Sequence, residues 1–179
     1  MIKHIIIFEG CQGVGNLSIA FNPTIVIEYL TSKTSEQKEV ALKALESSLK
    51  AQYSRILRAY HRKRVTVRLF DINMSNFVPS NDEEAAMVGS SMNLAVIDVK
   101  SAMYRIKDLY AAGNSNSVLN AVLFPDLVTC QLTALFDAII LVRNEGTHVY
   151  TTLSMTMVAN DKEFAYISSM VDTSTRLVC

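Results

Sequence analysis

The 179-residue chain lacks an excess of either charge: Lys+Arg and Asp+Glu each number 17, so the formal net charge is zero. Such a balance leaves no electrostatic footprint for duplex nucleic acid or an anionic membrane. It also weakens colloidal repulsion, so a homo-oligomer is expected. No apolar run approaches the roughly 18–20 residues that span a bilayer, so no membrane partner is expected. The mean hydropathy of +0.22 is read instead as a well-buried core. Cysteine is scarce. Cys11, Cys130 and Cys179 are odd in number and lack metal-ligand spacing, which predicts free thiols and a cytoplasmic location. The opening residues are too short a run, and too soon acidic at Glu9, for a signal peptide. Internal repeats, low-complexity segments and linkers are also missing. The chain therefore reads as one domain over 1–179, with about 144–160 as a lid or arm.

What is present is an alternation of strand and helix patterns. Residues 2–8 form a β-branched apolar run, the pattern of a buried parallel strand. A Gly-rich turn follows, and Pro23 precedes a second expected strand over 24–30. Thr34 with Gln37 matches a capping box, and Leu42, Leu45, Leu49, Tyr53, Ile56 and Tyr60 draw one apolar stripe of a long helix. The basic run Arg55, Arg58, Arg62 and Lys63 reads as the solvated end of that helix. Residues 65–72 read as a third strand. A helix starts at Ser80 and extends to about Ala112, with Gly113 as its stop. A fourth strand is expected over Leu127–Leu132 and a helix over Ala134–Asn144, ended by Gly146. An extended arm over 149–158, a short helix over 161–170 and a last strand from Val171 complete the reading. This order predicts an α/β fold of three layers with a mostly parallel sheet of four or five strands.

The motif that carries chemistry follows the first strand: Gly10-Cys11-Gln12-Gly13-Val14-Gly15-Asn16-Leu17-Ser18. A phosphate-binding P-loop reads Gly-x-x-x-x-Gly-Lys-[Ser/Thr], and Gly10 and Gly15 have that separation. Backbone N–H groups released by the glycines would cradle phosphate oxygens. Gly10, Gly13, Val14, Gly15, Asn16 and Ser18 are thus the candidate nucleotide-binding residues. Asn16 stands in the lysine's place, and Leu17 in that of the Mg²⁺-binding hydroxyl, with Ser18 one residue late. Losing the lysine's charge typically costs a hundredfold or more in rate, about 3 kcal/mol.

From Ile5 to Gly15 the chain resembles the opening of thymidylate kinases, whose loop follows a similar Phe-Glu-Gly. Val65–Asn76, with Asp71-Ile72 where an Asp-Arg pair belongs, is similar to that family's third strand. Phe124-Pro125-Asp126-Leu127 is similar to its Pro-Asp-Leu strand, Ala134–Gly146 with Arg143 to the segment entering its lid, and Val171–Ser174 to its late strand. The resemblance implies a P-loop kinase-like fold acting on a nucleotide or deoxynucleoside monophosphate, with ATP and Mg²⁺ as cofactors if it is active. It makes Asp71 and Arg143 the catalytic candidates and Asp71 with Ser18 the metal ligands; Glu28 is a further match. Asn16, Ile72 and Gln12 replace charged residues of the family, the pattern of a pseudoenzyme.

Three readings stand open on these residues. The chain is a degenerate kinase that binds nucleotide, an active deoxynucleoside monophosphate kinase in which Asn16 is tolerated or replaced by a lysine or arginine from elsewhere such as Lys33, or a non-catalytic structural or self-assembling interaction protein that keeps only the fold. His4, His61 and His148 are scattered and read as structural. His148-Val149-Tyr150-Thr151 has the wrong spacing for a phosphoesterase element. Cys11 reads as a small loop-filling residue, and Met87, Met92 and Met103 as core.

Overall fold

The computed structural model describes residues 4–7, 23–70, 117–155 and 158–178. Their elements are β1 (His4–Ile7), α1 (Pro23–Thr31), α2 (Ser35–Ala59), β2 (Arg64–Arg68), α3 (Ser117–Leu123), α4 (Pro125–Asn144), β3 (Tyr150–Ser154) and α5 (Asp161–Val178).

The capping box at the start of α2 forms as expected. Thr34 Oγ1 accepts from the Gln37 N–H, and Gln37 Oε1 accepts from the Thr34 N–H. Ala41, Leu45, Leu49, Tyr53 and Leu57 then recur every four residues and are all buried.

Three expected strands are helical. Residues 24–30 are rich in β-branched side chains, yet Pro23 opens α1, where its fixed φ suits a first helical turn. Val26, Tyr29 and Leu30 then bury one helical face. Likewise Pro125 starts α4 and Asp126 complements the helix dipole, so the expected strand over Leu127–Leu132 is its first turns. The buried set Leu127, Val128, Gln131, Leu132, Leu135, Ala138 and Val142 keeps a helical period throughout. The stretch from Val171 continues α5. Two of its hydroxyls bond within the helix, Thr173 Oγ1 donating to the Ser169 carbonyl and Thr175 Oγ1 to the Val171 carbonyl, each at 2.8 Å, while the buried Ser174 hydroxyl has no partner among the described residues. The segment expected as an arm contributes β3 to the sheet. The expected loop at 10–18 and the helix after Ser80 lie outside the described residues.

The sheet overturns the P-loop kinase plan. Among the described residues it has three strands, all parallel, in the order β1-β2-β3. His4 pairs with Arg64, and Arg64 with Tyr150. Each crossover steps the same way, so right-handed connections place every helix on one face. This is the winding of a β/α-barrel wall. A three-layer sheet with helices on both faces needs its strand order to reverse, and among the described strands it does not. The described chain is mostly helical, in two layers.

The second and third helix–strand units repeat one design. Lys50 pairs with Asp137 at 2.6 Å, Arg58 with Glu145 at 2.7 Å, and the Cys130 thiol donates to the Leu42 carbonyl. Partners stand 87 or 88 residues apart each time, so α2 and α4 run parallel, side by side. At the lower end of the strands the turns are bolted together. The Arg62 N–H donates to the His148 carbonyl at 2.8 Å, and the His148 N–H to His61 Nδ1 at 3.2 Å. Arg62 has φ +61°, a left-handed turn residue. Gly146, with φ +84°, ends α4 as expected.

Helix α4 is long and apolar enough to cross a membrane by length and composition, and half of that stretch is buried inside the protein. It is the central core helix, packed on α2, α3 and α5.

Cys130 sits in that core, and burial pushes its thiol pKa from 9.0 up to about 12, Glu46 adding to the effect. Below pH 9 the thiol is protonated folded or unfolded. Between pH 9 and about 12 only the unfolded chain ionises, so this burial's contribution to stability is lost as pH rises. In a Cys11→Ser/Cys179→Ser chain at pH 8, Cys130 should react with a disulfide reagent roughly a thousandfold more slowly folded than unfolded, from its thiolate fraction. Stopped-flow absorbance would measure both rates.

Candidate functional site

Ligands in parallel α/β sheets bind beyond the carboxyl ends of the strands, where loops converge. Here that edge is formed by Ile7, Arg68 and Ser154. The side-chain alternation of β2 separates two faces. Val65 and Val67 are buried beneath the helices, while Arg64 is exposed and Thr66 and Arg68 are half-buried. Register sets Thr66 beside Thr152 and Arg68 beside Ser154. The face away from the helices is thus polar, with Arg68 at its carboxyl edge.

A buried polar network fixes that edge. The Gln131 carboxamide, 1% exposed, accepts from the Phe70 N–H at 3.0 Å. Its Nε2 donates to the Arg68 carbonyl at 3.0 Å and to the Tyr53 hydroxyl at 3.1 Å. Asn120, also 1% exposed, donates from Nδ2 to the Phe70 carbonyl at 3.1 Å. The Leu69 N–H donates to the Ser154 carbonyl at 2.9 Å, so β2 and β3 are tied one residue past their last pair. Three helices therefore determine where the chain leaves β2. Buried groups of this kind must be satisfied, and here each bond also sets the backbone beside Arg68.

The expected site residues fall as follows. Gly10, Gly13, Val14, Gly15, Asn16, Ser18 and Asp71 lie outside the described residues; Asp71 directly follows Phe70. Arg143 is exposed in the last turn of α4, at the end of the sheet opposite to the Arg68 edge. It borders a cavity of about 380 Å³ with residues 146–150. Glu28 is exposed on α1, and Lys33 lies in the turn before α2. The structure does not bring Arg143, Glu28 and Lys33 together around the strand ends. Among the described residues no group of three or more His, Cys, Asp or Glu is placed to hold a metal. Gln131, Tyr53, Asn120 and Arg68 were not singled out as site residues. A lone glutamine amid the apolar run 127–142, and a lone arginine in Val65-Thr66-Val67-Arg68-Leu69-Phe70, were the available signals.

Electrostatics elsewhere are local. The Arg58 guanidinium holds the Glu145 carboxyl below the usual carboxylate range, and Asp126 raises the Lys38 ammonium. Both pairs are well exposed and act on register more than on stability.

No family model matches the chain. It is similar to pyruvate, phosphate dikinases. One from Clostridium symbiosum is 25% identical over 143 residues, covering 79% of this chain and 16% of the relative. A chloroplastic one from Mesembryanthemum crystallinum is 24% identical over 172 residues, covering 91% and 18%. Pyruvate, phosphate dikinase 2 of Zea mays is 24% identical over 176 residues, covering 91% and 20%. The chain thus spans a fifth or less of the length of these curated relatives. They correct the thymidylate-kinase resemblance: the similarity runs across nearly the whole chain to a different kind of enzyme, and no nucleoside monophosphate kinase function follows from it.

Replacing Gln131 with Leu leaves the buried Phe70 N–H without its Gln131 acceptor and takes one donor from the Arg68 carbonyl. We expect destabilisation of about 2 kcal/mol, from one unsatisfied buried group and one lost hydrogen bond. The urea midpoint of the variant against the parent chain measures it.

Proposed function

We propose that the carboxyl edge of β2 and β3 binds a small anion of the pyruvate or phosphate type, with Arg68 as its cationic contact. The observation that carries this reading is the Gln131–Asn120 network, which immobilises the backbone on both sides of Arg68 at the ligand-binding end of a parallel sheet. A guanidinium presents paired N–H donors that match a carboxylate or phosphate. Thr66, Thr152 and Ser154 supply hydroxyls on the same face. The relatives' name, pyruvate, phosphate dikinase, supports both anion classes.

The reading is one of binding. The chain matches less than a quarter of each relative, so a complete dikinase reaction lies beyond it. ATP with Mg²⁺ belongs to the proposal as the phosphoryl source of a larger assembly, since a dikinase moves phosphoryl groups. A cytoplasmic location and self-association belong to the proposal as well. Zero net charge and a sheet of three described strands favour joining further copies or partners at the sheet edges.

Calorimetric titration tests the site. Pyruvate and phosphate should bind the parent chain, and Arg68→Gln should weaken both by tenfold or more, as expected for loss of a charge-assisted pair. Arg68→Lys should recover part of the affinity. No heat at about 10 mM of either anion, or unchanged binding by Arg68→Gln, would sink the proposal. Sedimentation velocity tests assembly: the weight-average mass should rise with concentration, and a strict monomer at every concentration would refute it.

A further inference from the structure

We infer that the lower end of the sheet, opposite to the Arg68 edge, is a binding surface for single-stranded nucleic acid. The zero net charge of the chain conceals a local excess there. Arg62, Lys63 and Arg64 follow α2, Arg143 stands in the last turn of α4, and all four are exposed. The two stretches are neighbours in space. The Arg62 N–H donates to the His148 carbonyl, the His61 and His148 ring centroids are 5.7 Å apart, and Arg64 is the strand partner of Tyr150. Glu145 is the carboxylate of the α4–β3 turn, and Arg58 already occupies both of its oxygens. Arg62, Lys63, Arg64 and Arg143 form no ion pair among the described residues. The field at this end is positive and draws a polyanion.

Folding alone accounts for only part of this cluster. Cations suit a helix C-terminus. The last carbonyls of α4, however, already accept from its own turn: Leu141 from the Glu145 N–H, Val142 from Thr147 and Arg143 from Gly146. Arg62 holds φ +61°, a conformation in which glycine is relaxed and arginine is strained. A strained cation among unpaired ones points to a ligand.

The cavity at this end indicates which anion fits. It has about 380 Å³ and opens between Arg143, His148 and Tyr150. Tyr150 is 58% exposed, so its ring offers a face on which a base can stack. Arg143, on the same cavity, presents paired donors for a phosphate. His61 Nδ1 accepts from the His148 N–H at 3.2 Å, which leaves Nε2 as the donor of the neutral ring. One unpaired nucleotide would stack on Tyr150, with its flanking phosphates on Arg143 and on the Arg62–Arg64 run. A duplex keeps its base faces covered, and an acidic peptide gains nothing from the ring.

Fluorescence anisotropy with a labelled oligothymidylate of about twelve nucleotides, added to the full chain, tests this. Binding should have a Kd of about 10 μM or below at low salt, and log K should fall against log salt with a slope of about −3, from four cations. The double variant Lys63→Gln/Arg64→Gln, at exposed positions, should reduce that slope by about 1.4. Tyr150→Ala should weaken binding about fivefold or more at unchanged slope, and Tyr150→Phe should retain it. Circular dichroism should show every variant folded like the parent. Absence of binding at about 100 μM protein, or Tyr150→Ala binding as well as the parent, would overturn the inference. A duplex of the same length bound as tightly would overturn it too. A labelled decaglutamate bound as tightly would assign the surface to an acidic protein instead.

Discussion

The Gln131 carboxamide is the contact on which the arrangement around β2 depends. It needs an acceptor toward the Phe70 N–H and donors toward the Arg68 carbonyl and the Tyr53 hydroxyl. Only a side-chain amide offers an acceptor and two donors without charge, and the two backbone partners fix which way it is turned. Glutamate in its place would present a carboxylate to the Arg68 carbonyl, and leucine would present nothing. Through this one group α4 holds the end of β2, and through Tyr53 it holds α2 as well. Asn120 adds α3 to the same point. Four elements thus meet at a strand exit, where a buried polar group has no water to fall back on.

The lower end of the sheet is fixed by different means. There the turns between helix and strand join backbone to backbone, as Arg62 does to His148, and an exposed Arg58–Glu145 pair bridges neighbouring helices. Such exposed pairs contribute little stability singly. Their value lies in register: with Lys50–Asp137 and the Cys130 thiol on Leu42, they hold α2 and α4 at a constant offset along their shared length. Two like units placed side by side give two parallel strands in neighbouring positions, which is how the order β1-β2-β3 arises without a reversal.

The sequence disclosed some of this and concealed the rest for identifiable reasons. The capping box at Thr34 and the stop at Gly146 rest on backbone chemistry local to a few residues, and both are found as expected. Residues 65–68 and 150–154 alternate or carry β-branched side chains, and both are strands. Residues 24–30 and 127–132 carry the same β-branched signal and are helices, because Pro23 and Pro125 open first turns and burial follows a period of 3.6. Counting those two segments as strands contributed to an expected sheet of four or five strands, against three among the described residues. The clamp was harder to see. Gln131 is polar and isolated, and nothing in a linear chain shows that Phe70 lies 61 residues away and within reach of its amide.

Strand order, more than strand count, decides where a ligand can sit. In a sheet whose order reverses, the reversal opens a crevice between neighbouring loops, and a Gly-rich turn after the first strand faces it. A sheet wound in one direction has no such crevice, and its loops converge above the carboxyl ends of all the strands. The groups available there belong to several strands at once: Arg68 from β2, Ser154 from β3. A site assembled in this way asks little of any single loop and much of the alignment between units. That is why the helix offset and the Gln131 clamp set the geometry on which the proposed anion binding at Arg68 rests.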